Sequence, residues 1–115
     1  EEDKRLRSEA IQSATLFAAQ VPLETMKTSF KTFEICRAMA ETGNPASVSD
    51  AGVGALAARA AVLGAGLNVK INASSLKDKA QAEALVSEAD RLMAEADKAE
   101  KEIMTIVEVT INKNI

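Results

Sequence analysis

A short polar stretch, GNPASVSDAG at residues 43–52, places side chains capable of acid–base chemistry at the head of a long run of small residues. It contains Asn44, Ser47, Ser49 and Asp50. One interpretation is helix capping: Ser47 or Ser49 is the N-cap, and Asp50 lies in the first turn, where the helix dipole favours a carboxylate. The other is a site, because N–H groups and hydroxyls at a helix N-terminus bind anions or polar rings, and Asp50 beside them can transfer a proton. Spacing alone leaves both interpretations open.

A second polar group, NVKIN, follows about five helical turns further on. Its Asn68 and Asn72 are four residues apart and therefore share one face of a helix. Asn disfavours helix interiors, so both side chains need partners. Either they make interhelical hydrogen bonds or lie at a frayed helix end, or their amides recognise a polar ring.

The composition narrows the chemistry. The chain has no His and a single cysteine, Cys36. This composition excludes a zinc site, a Cys-His dyad and a Ser-His-Asp triad within one chain. Cys36 is expected to pack as a small apolar side chain in a reducing compartment. Arg59, isolated among alanines, is either a surface charge or an anchor for an anion. The net charge of −3 does not indicate a basic surface for nucleic acid, so no nucleic-acid partner is expected. No apolar run reaches the length of a membrane span, so no membrane partner is expected either.

Hydrophobic spacing predicts four helical segments. Pro22 should kink or restart the first, Gly43 and Pro45 should end the second, and Ser75 with Asp78 forms a capping-box pattern for the last. The predicted ranges are about 3–20, 22–41, 48–73 and 75 to at least 107. The predicted core-facing stripes are Leu6, Ala10, Ala14 and Phe17; Leu23, Met26, Phe30, Phe33 and Ala40; and a heptad seam of Ala82, Leu85, Ala89, Leu92, Ala96, Ala99, Ile103 and Ile106.

The third segment is small-residue-rich around most of its circumference, which predicts a central helix approached closely by its neighbours. Its glycines, at positions 52, 54, 64 and 66, each cost about 1 kcal/mol of helix propensity against Ala, so another helix or a ligand should lie against them. The expected fold is one all-α domain over residues 1–115, an antiparallel bundle of long helices that forms a dimer.

The motifs VPLETM, GNPASVSDAGVGALAARAAVLGAGLNVKIN and SLKDKA, over about Pro22 to Lys79, closely resemble the cyclodeaminase/cyclohydrolase family of folate enzymes. The resemblance implies an all-helical homodimer in the cytoplasm. It implies one of two reactions: cyclising 5-formimino-tetrahydrofolate to 5,10-methenyl-tetrahydrofolate with release of ammonia, or hydrolysing 5,10-methenyl- to 10-formyl-tetrahydrofolate. The tetrahydrofolate derivative, with one or several glutamyl units, is the substrate. Neither reaction needs a metal or other cofactor.

Carried over to these positions, the resemblance makes Asp50 the catalytic proton shuttle. It makes one set of side chains candidates for holding the pterin ring: Asn44, Ser47, Ser49, Asn68 and Asn72. The glutamyl tail requires a cation, for which Arg59 and Lys70 are the candidates.

One departure from the family keeps other functions open. Family members are nearly twice as long and begin with a helix that carries a Gly-Gly-Ser-type motif, which has no match here. We therefore expect the chain to be the C-terminal part of a longer domain. The alternatives are a folate-binding module without catalysis and a structural helical dimerisation domain.

Overall fold

The computed structural model describes residues 1–113 and 115, and every regular element in that part of the chain is helical. The prediction of an all-α fold is therefore confirmed. A 3-10 turn, Pro45–Ser47, leads directly into the third α-helix. The helices are α1, Glu2–Phe30; α2, Thr32–Thr42; α3, Val48–Ala73; and α4, Lys79–Lys113.

The break predicted at Pro22 is wrong. Helix α1 continues through Pro22, and the chain turns at Lys31 instead. Pro22 has no N–H to donate to the carbonyl oxygen of Ala18, one turn back in the helix. The side-chain amide of Asn72, on α3, donates to that oxygen at 3.2 Å. A tertiary hydrogen bond thus replaces the one that proline removes, and the helix passes without a break.

The core-facing stripe predicted for the beginning of α1 is also wrong. Its four residues, at positions 6, 10, 14 and 17, are all exposed, and Phe17 is 67% exposed. This part of α1 lies beside the short α3–α4 loop, in which Leu76 is the buried apolar side chain. The stripe predicted further along is confirmed: Leu23, Met26, Phe33 and Ala40 are buried, and Phe30 is half-buried.

Helix α4 begins three to four residues later than predicted. The carboxylate of Asp78 accepts a hydrogen bond from the backbone N–H of Gln81 at 3.1 Å, so Asp78 rather than Ser75 caps the helix. The predicted seam of α4 packs chiefly on α3, so the chain itself covers it. Ala82, Leu85, Ala89, Leu92, Ala96 and Ile103 are buried, and Ala99 and Ile106 are half-buried.

Three of the four glycines of α3 are explained by close packing. A Cβ atom would lie 3.3 Å from Met104 Sδ at Gly52, 2.9 Å from Cys36 Sγ at Gly54 and 2.6 Å from Met93 Sδ at Gly66. At Gly64 a Cβ atom would meet nothing within 4 Å. The expectation of close approach is therefore confirmed at positions 52, 54 and 66, and position 64 faces open space.

One face of α3 is apolar and uncovered. Val53, Leu67 and Ile71 are 63–66% exposed, and Leu56 is 44% exposed. By length and composition alone, the stretch Pro45–Ala73 is long and apolar enough to cross a membrane. The expectation that no apolar run reaches that length is therefore wrong, because alanine, glycine and valine outweigh the few charges of this helix. The core helix of a soluble protein can be equally long and apolar.

Candidate functional site

The 3-10 turn that precedes α3 is built by Asn44. Its Oδ1 accepts a hydrogen bond from the N–H of Ala46 at 3.0 Å, and its carbonyl oxygen accepts one from the N–H of Ser47 at 2.9 Å. Pro45 occupies the first position of this turn, where its missing N–H costs nothing. Asn44 therefore caps the 3-10 turn that leads into α3.

Among the residues that the structure describes, no hydrogen bond or ion pair engages the side chains of Ser47, Ser49 and Asp50. Ser47 takes the N-cap position, yet its side chain makes no capping hydrogen bond, and Asp50 lies in the first turn. Ser47, Ser49 and Asp50 are exposed. A groove of about 440 Å³ beside them is lined by Pro45, Ala46, Val48, Ser49, Ile111 and Ile115. The capping interpretation is thus confirmed for the positions of Ser47 and Asp50, but the Ser47 side chain makes no capping hydrogen bond.

The second polar group lies against α1. Asn72 Nδ2 donates to the carbonyl oxygens of Asn68, at 2.9 Å, and Ala18, at 3.2 Å. Both amide protons are therefore used within the fold, and Oδ1 of Asn72 remains as an acceptor. The Asn68 side chain is exposed. A shallow groove of about 350 Å³ runs between the two helices and is lined by Ala18, Val21, Pro22, Thr25, Ala65, Asn68 and Asn72.

The two cations expected to meet a glutamyl tail are engaged by α4. Arg59 Nε donates to Asp97 Oδ1 at 2.6 Å, and Lys70 Nζ lies 2.5 Å from Asp90 Oδ1. The hydrogen bond that Arg59 donates to Asp97, together with the negative charge of Asp97, raises the pKa of Arg59 above its usual value. Sequence reasoning missed Asp90 and Asp97, since they lie in a charged stretch typical of a solvated helix face. A tail bound at these cations would have to compete with carboxylates already present.

One chain does not bring the two polar groups together. Asp50 and Asn68 are eighteen residues apart in α3, which is five turns and about 27 Å at 1.5 Å per residue. Five whole turns also place them on the same side of the helix. A reacting carbon and nitrogen held at Asp50 therefore cannot belong to a ring held by Asn68 and Asn72 of the same chain.

Comparison with known proteins identifies the family. Residues 1–91 match the formiminotransferase-cyclodeaminase family, so the chain belongs to that family. It is 37% identical over 112 residues to a methenyltetrahydrofolate cyclohydrolase of Methylorubrum extorquens, across 97% of this chain and 54% of the relative. It is 34% identical over 101 residues to a formimidoyltransferase-cyclodeaminase of Dictyostelium discoideum, across 88% of this chain and 19% of that protein.

The chain spans about half the length of the first of these curated relatives and about a fifth of the second. The resemblance stated from the motifs is confirmed at the level of the family. The family is one of folate one-carbon enzymes of the cyclohydrolase and cyclodeaminase types.

Proposed function

We propose that this protein acts on a tetrahydrofolate derivative as a one-carbon enzyme. It either cyclises 5-formimino-tetrahydrofolate to the 5,10-methenyl form with release of ammonia, or hydrolyses the methenyl form to 10-formyl-tetrahydrofolate. The observation that carries the proposal is the 37% identity to a methenyltetrahydrofolate cyclohydrolase across nearly the whole chain. The exposed Asp50 side chain in the first turn of α3 supports it.

Both reactions require a proton to be moved at the one-carbon centre. In cyclisation, N10 attacks the formimino carbon and loses its proton as the new C–N bond forms. The imino nitrogen takes up two protons, and its bond to that carbon breaks as it leaves as ammonia. In hydrolysis, water attacks the methenyl carbon and loses a proton as the C–O bond forms. The new hydroxyl then loses its proton to become the formyl oxygen, N5 takes up a proton, and the bond between N5 and that carbon breaks. A positioned carboxylate can take and return such protons, which is the role we assign to Asp50.

Asn44, Ser47, Ser49, Asn68 and Asn72 are proposed to hold the pterin ring through their amides and hydroxyls. Binding is proposed to align N10 with the one-carbon centre, which lowers the entropic cost of the reaction. No electron is transferred in either reaction, so we propose no redox cofactor, and the substrate itself carries the one-carbon unit. Action in the cytoplasm, with no nucleic-acid or membrane partner, also belongs to this proposal.

We propose that the uncovered face of α3 is the interface of a homodimer. The radius of gyration is 18.9 Å, against about 13 Å for a compact domain of this length, and the molecule measures 72 × 18 × 16 Å. A molecule this narrow leaves one side of α3 uncovered, and the exposed Gly64 allows a second helix to come close. Within each chain, Arg59 pairs with Asp97 and Lys70 pairs with Asp90. Residue numbers rise along α3 as they fall along α4, which supports an antiparallel bundle.

A dimer of this kind would also resolve the separation of the two polar groups. Two α3 helices that cross with opposite directions, midway between Asp50 and Asn68, would bring Asp50 of one chain to Asn68 of the partner subunit. The site would then be complete only in the dimer. The exposed apolar side chains Val53, Leu67 and Ile71 lie along the same helix and would supply the buried area.

The substitution Asp50→Asn tests the proposal. Asn is also a good residue for the first turn and the cap, so the fold should be retained. We expect turnover to fall by about 10²–10⁴-fold, the usual contribution of a general acid–base group. The matched control is Asp78→Asn, which changes the capping carboxylate of α4 and should leave turnover within a few-fold. Unchanged turnover in Asp50→Asn would remove Asp50 from the mechanism.

The uncovered α3 face also favours a second candidate function, a structural dimerisation domain. That candidate predicts a dimer that binds no tetrahydrofolate. A folate-binding module without catalysis predicts binding with no turnover. Calorimetric titration with 5-formyl-tetrahydrofolate, run beside the turnover assay, distinguishes the three.

A further inference from the structure

The side-chain amide of Asn72 is held in one orientation by two carbonyl oxygens. Its Nδ2 donates to the carbonyl oxygen of Asn68 at 2.9 Å, within α3, and to that of Ala18 at 3.2 Å, on α1. Turning the amide over would put Oδ1 against both oxygens, and acceptors that close repel one another. The half-buried Asn72 side chain therefore offers a ligand a single polar atom, the acceptor Oδ1.

Pro22 is the reason that the Ala18 oxygen is available to Asn72. In a continuous α-helix the N–H of residue 22 would donate to the carbonyl oxygen of Ala18, but proline has no N–H. Helix α1 nevertheless runs through Pro22 without a break, and this oxygen takes its hydrogen bond from α3 instead. The orientation of the Asn72 amide thus depends on the type of residue at position 22 of another helix.

Asn68 lacks this restraint. Its side chain is exposed, and among the described residues no hydrogen bond engages its amide. It can therefore turn either a donor or an acceptor towards a ligand. Asn68 and Asn72 line the same groove, together with Ala18 and Pro22. Of the two asparagines, Asn72 is the one that can discriminate by polarity, because a fixed acceptor disfavours a ligand edge that has no donor for it.

We propose that Pro22 is a positioning residue for ring recognition: it leaves the Ala18 oxygen to Asn72 and so fixes Oδ1 as an acceptor for a ring edge that donates. The inference rests on the proposed function, in which this groove holds the pterin ring. The pyrimidine half of that ring carries a donor, its 2-amino group, and an acceptor, its 4-oxo group. A fixed Oδ1 selects the amino group and thereby determines which way round the ring lies in the groove.

The test compares two ligands that differ at one substituent: 5-formyl-tetrahydrofolate and its 2-desamino analogue, in which hydrogen replaces the 2-amino group. Both are titrated calorimetrically into the unmodified chain and into Pro22→Ala. We expect the unmodified chain to bind the amino form about tenfold more tightly, the effect of one hydrogen bond at a partly exposed acceptor. In Pro22→Ala the N–H of residue 22 competes for the Ala18 oxygen, so the preference should fall to about threefold or less. The variant should fold, because alanine is the better helix former.

Because Pro22 also lines the groove, its direct contact with the ring must be separated from its effect on the amide. Asn72→Ala removes the acceptor and should abolish the preference, and adding Pro22→Ala in that background should change nothing further. Pro45→Ala, at the start of the 3-10 turn, is the matched control for removal of a proline and should keep the preference. Circular dichroism checks that each variant retains its helices.

Equal affinity for both ligands in the unmodified chain would overturn the inference and leave the proposed function standing. A preference that Pro22→Ala leaves unchanged would do the same, as would a further effect of Pro22→Ala in the Asn72→Ala background. A preference that also falls in Pro45→Ala would overturn the inference by showing a general loosening of the fold. Binding of neither ligand would overturn both the inference and the proposed function.

Discussion

Asn72 Nδ2 donates a hydrogen bond to the carbonyl oxygen of Ala18, the acceptor in α1 that Pro22 leaves without its helical donor. The same amide donates to the carbonyl oxygen of Asn68 at 2.9 Å. A residue proposed to recognise a ring therefore also joins α1 to α3 and fixes the wall of the groove between them. Only its Oδ1 and the side chain of Asn68 are left to face a ligand.

The energetic link between Asn72 and Pro22 can be measured by a double-mutant cycle. Asn72→Ala should lower the free energy of unfolding by about 0.5–1 kcal/mol, since the bond is partly exposed to water. Pro22→Ala restores a backbone N–H to Ala18, so the same substitution should cost less in that background. Urea unfolding of the four chains gives both values. Equal costs in the two backgrounds would mean that Asn72 does not compensate for the proline.

Two glycines of α3 should respond in opposite ways to alanine. At Gly54 a Cβ atom would lie 2.9 Å from Cys36 Sγ, so Gly54→Ala should destabilise the fold by about 1–3 kcal/mol. At Gly64 a Cβ atom meets nothing within 4 Å, so Gly64→Ala should stabilise the isolated chain by about 0.5–1 kcal/mol.

Cys36→Ala provides the control for the first of these substitutions. It removes the sulfur that Gly54→Ala would strike, so the double variant should recover part of the lost stability. Thermal unfolding of the single and double variants supplies the measurement. Destabilisation by Gly54→Ala that persists in full without the sulfur would place the clash elsewhere.

The thiol of Cys36 should react slowly in the folded chain. Cys36 is 7% exposed, and burial raises the pKa of its thiol above the usual value of 9.0, so little thiolate is present at neutral pH. Because the thiol has a higher pKa in the folded chain than in the unfolded chain, its protonated form contributes to stability. That contribution is fully present below the unfolded pKa and is lost as the pH rises through the folded pKa. Labelling with a disulfide reagent at pH 8 should be many times faster in urea than in buffer. Equal rates would show that Cys36 is accessible.

The dimer proposed for the α3 face predicts a selective effect of charge. Leu67→Glu should leave the helix content unchanged and convert a dimer into a monomer in sedimentation experiments without detergent, because a carboxylate would be buried at the interface. Val109→Glu is the control: Val109 is 50% exposed on α4, away from that face, and its substitution should leave the dimer intact. An unmodified chain that sediments as a monomer would contradict the dimer, and one that requires detergent would favour a lipid surface against α3.

Much of the fold could be predicted from local patterns. The bounds Val48–Ala73 and the end of α2 at Gly43 were predicted as observed, since proline, glycine and the small-residue run are local signals. The failures depend on contacts between distant residues. Pro22 is accommodated by Asn72 of another helix, and Leu6 and Phe17 have a helical rhythm with no partner in the described chain to bury them.

The residues of the candidate site could be predicted from the sequence, but the residues that pair with its cations could not. Asn68 and Asn72 were predicted to share one face of a helix, about five turns from Asp50, and the structure has all three residues in α3. The partners of Arg59 and Lys70 could not be foreseen, because nothing in the spacing of Asp90 and Asp97 marks them as interhelical.

The most direct measurement is the absorbance of methenyl-tetrahydrofolate after the chain is mixed separately with each of the two substrates. The proposed function predicts a protein-dependent rise with 5-formimino-tetrahydrofolate for a cyclodeaminase, or a fall with the methenyl form, above its spontaneous hydrolysis, for a cyclohydrolase. Asp50→Asn should slow whichever change is seen by about 10²–10⁴-fold. Two flat traces with the unmodified chain would contradict the proposal that this chain catalyses a folate one-carbon reaction.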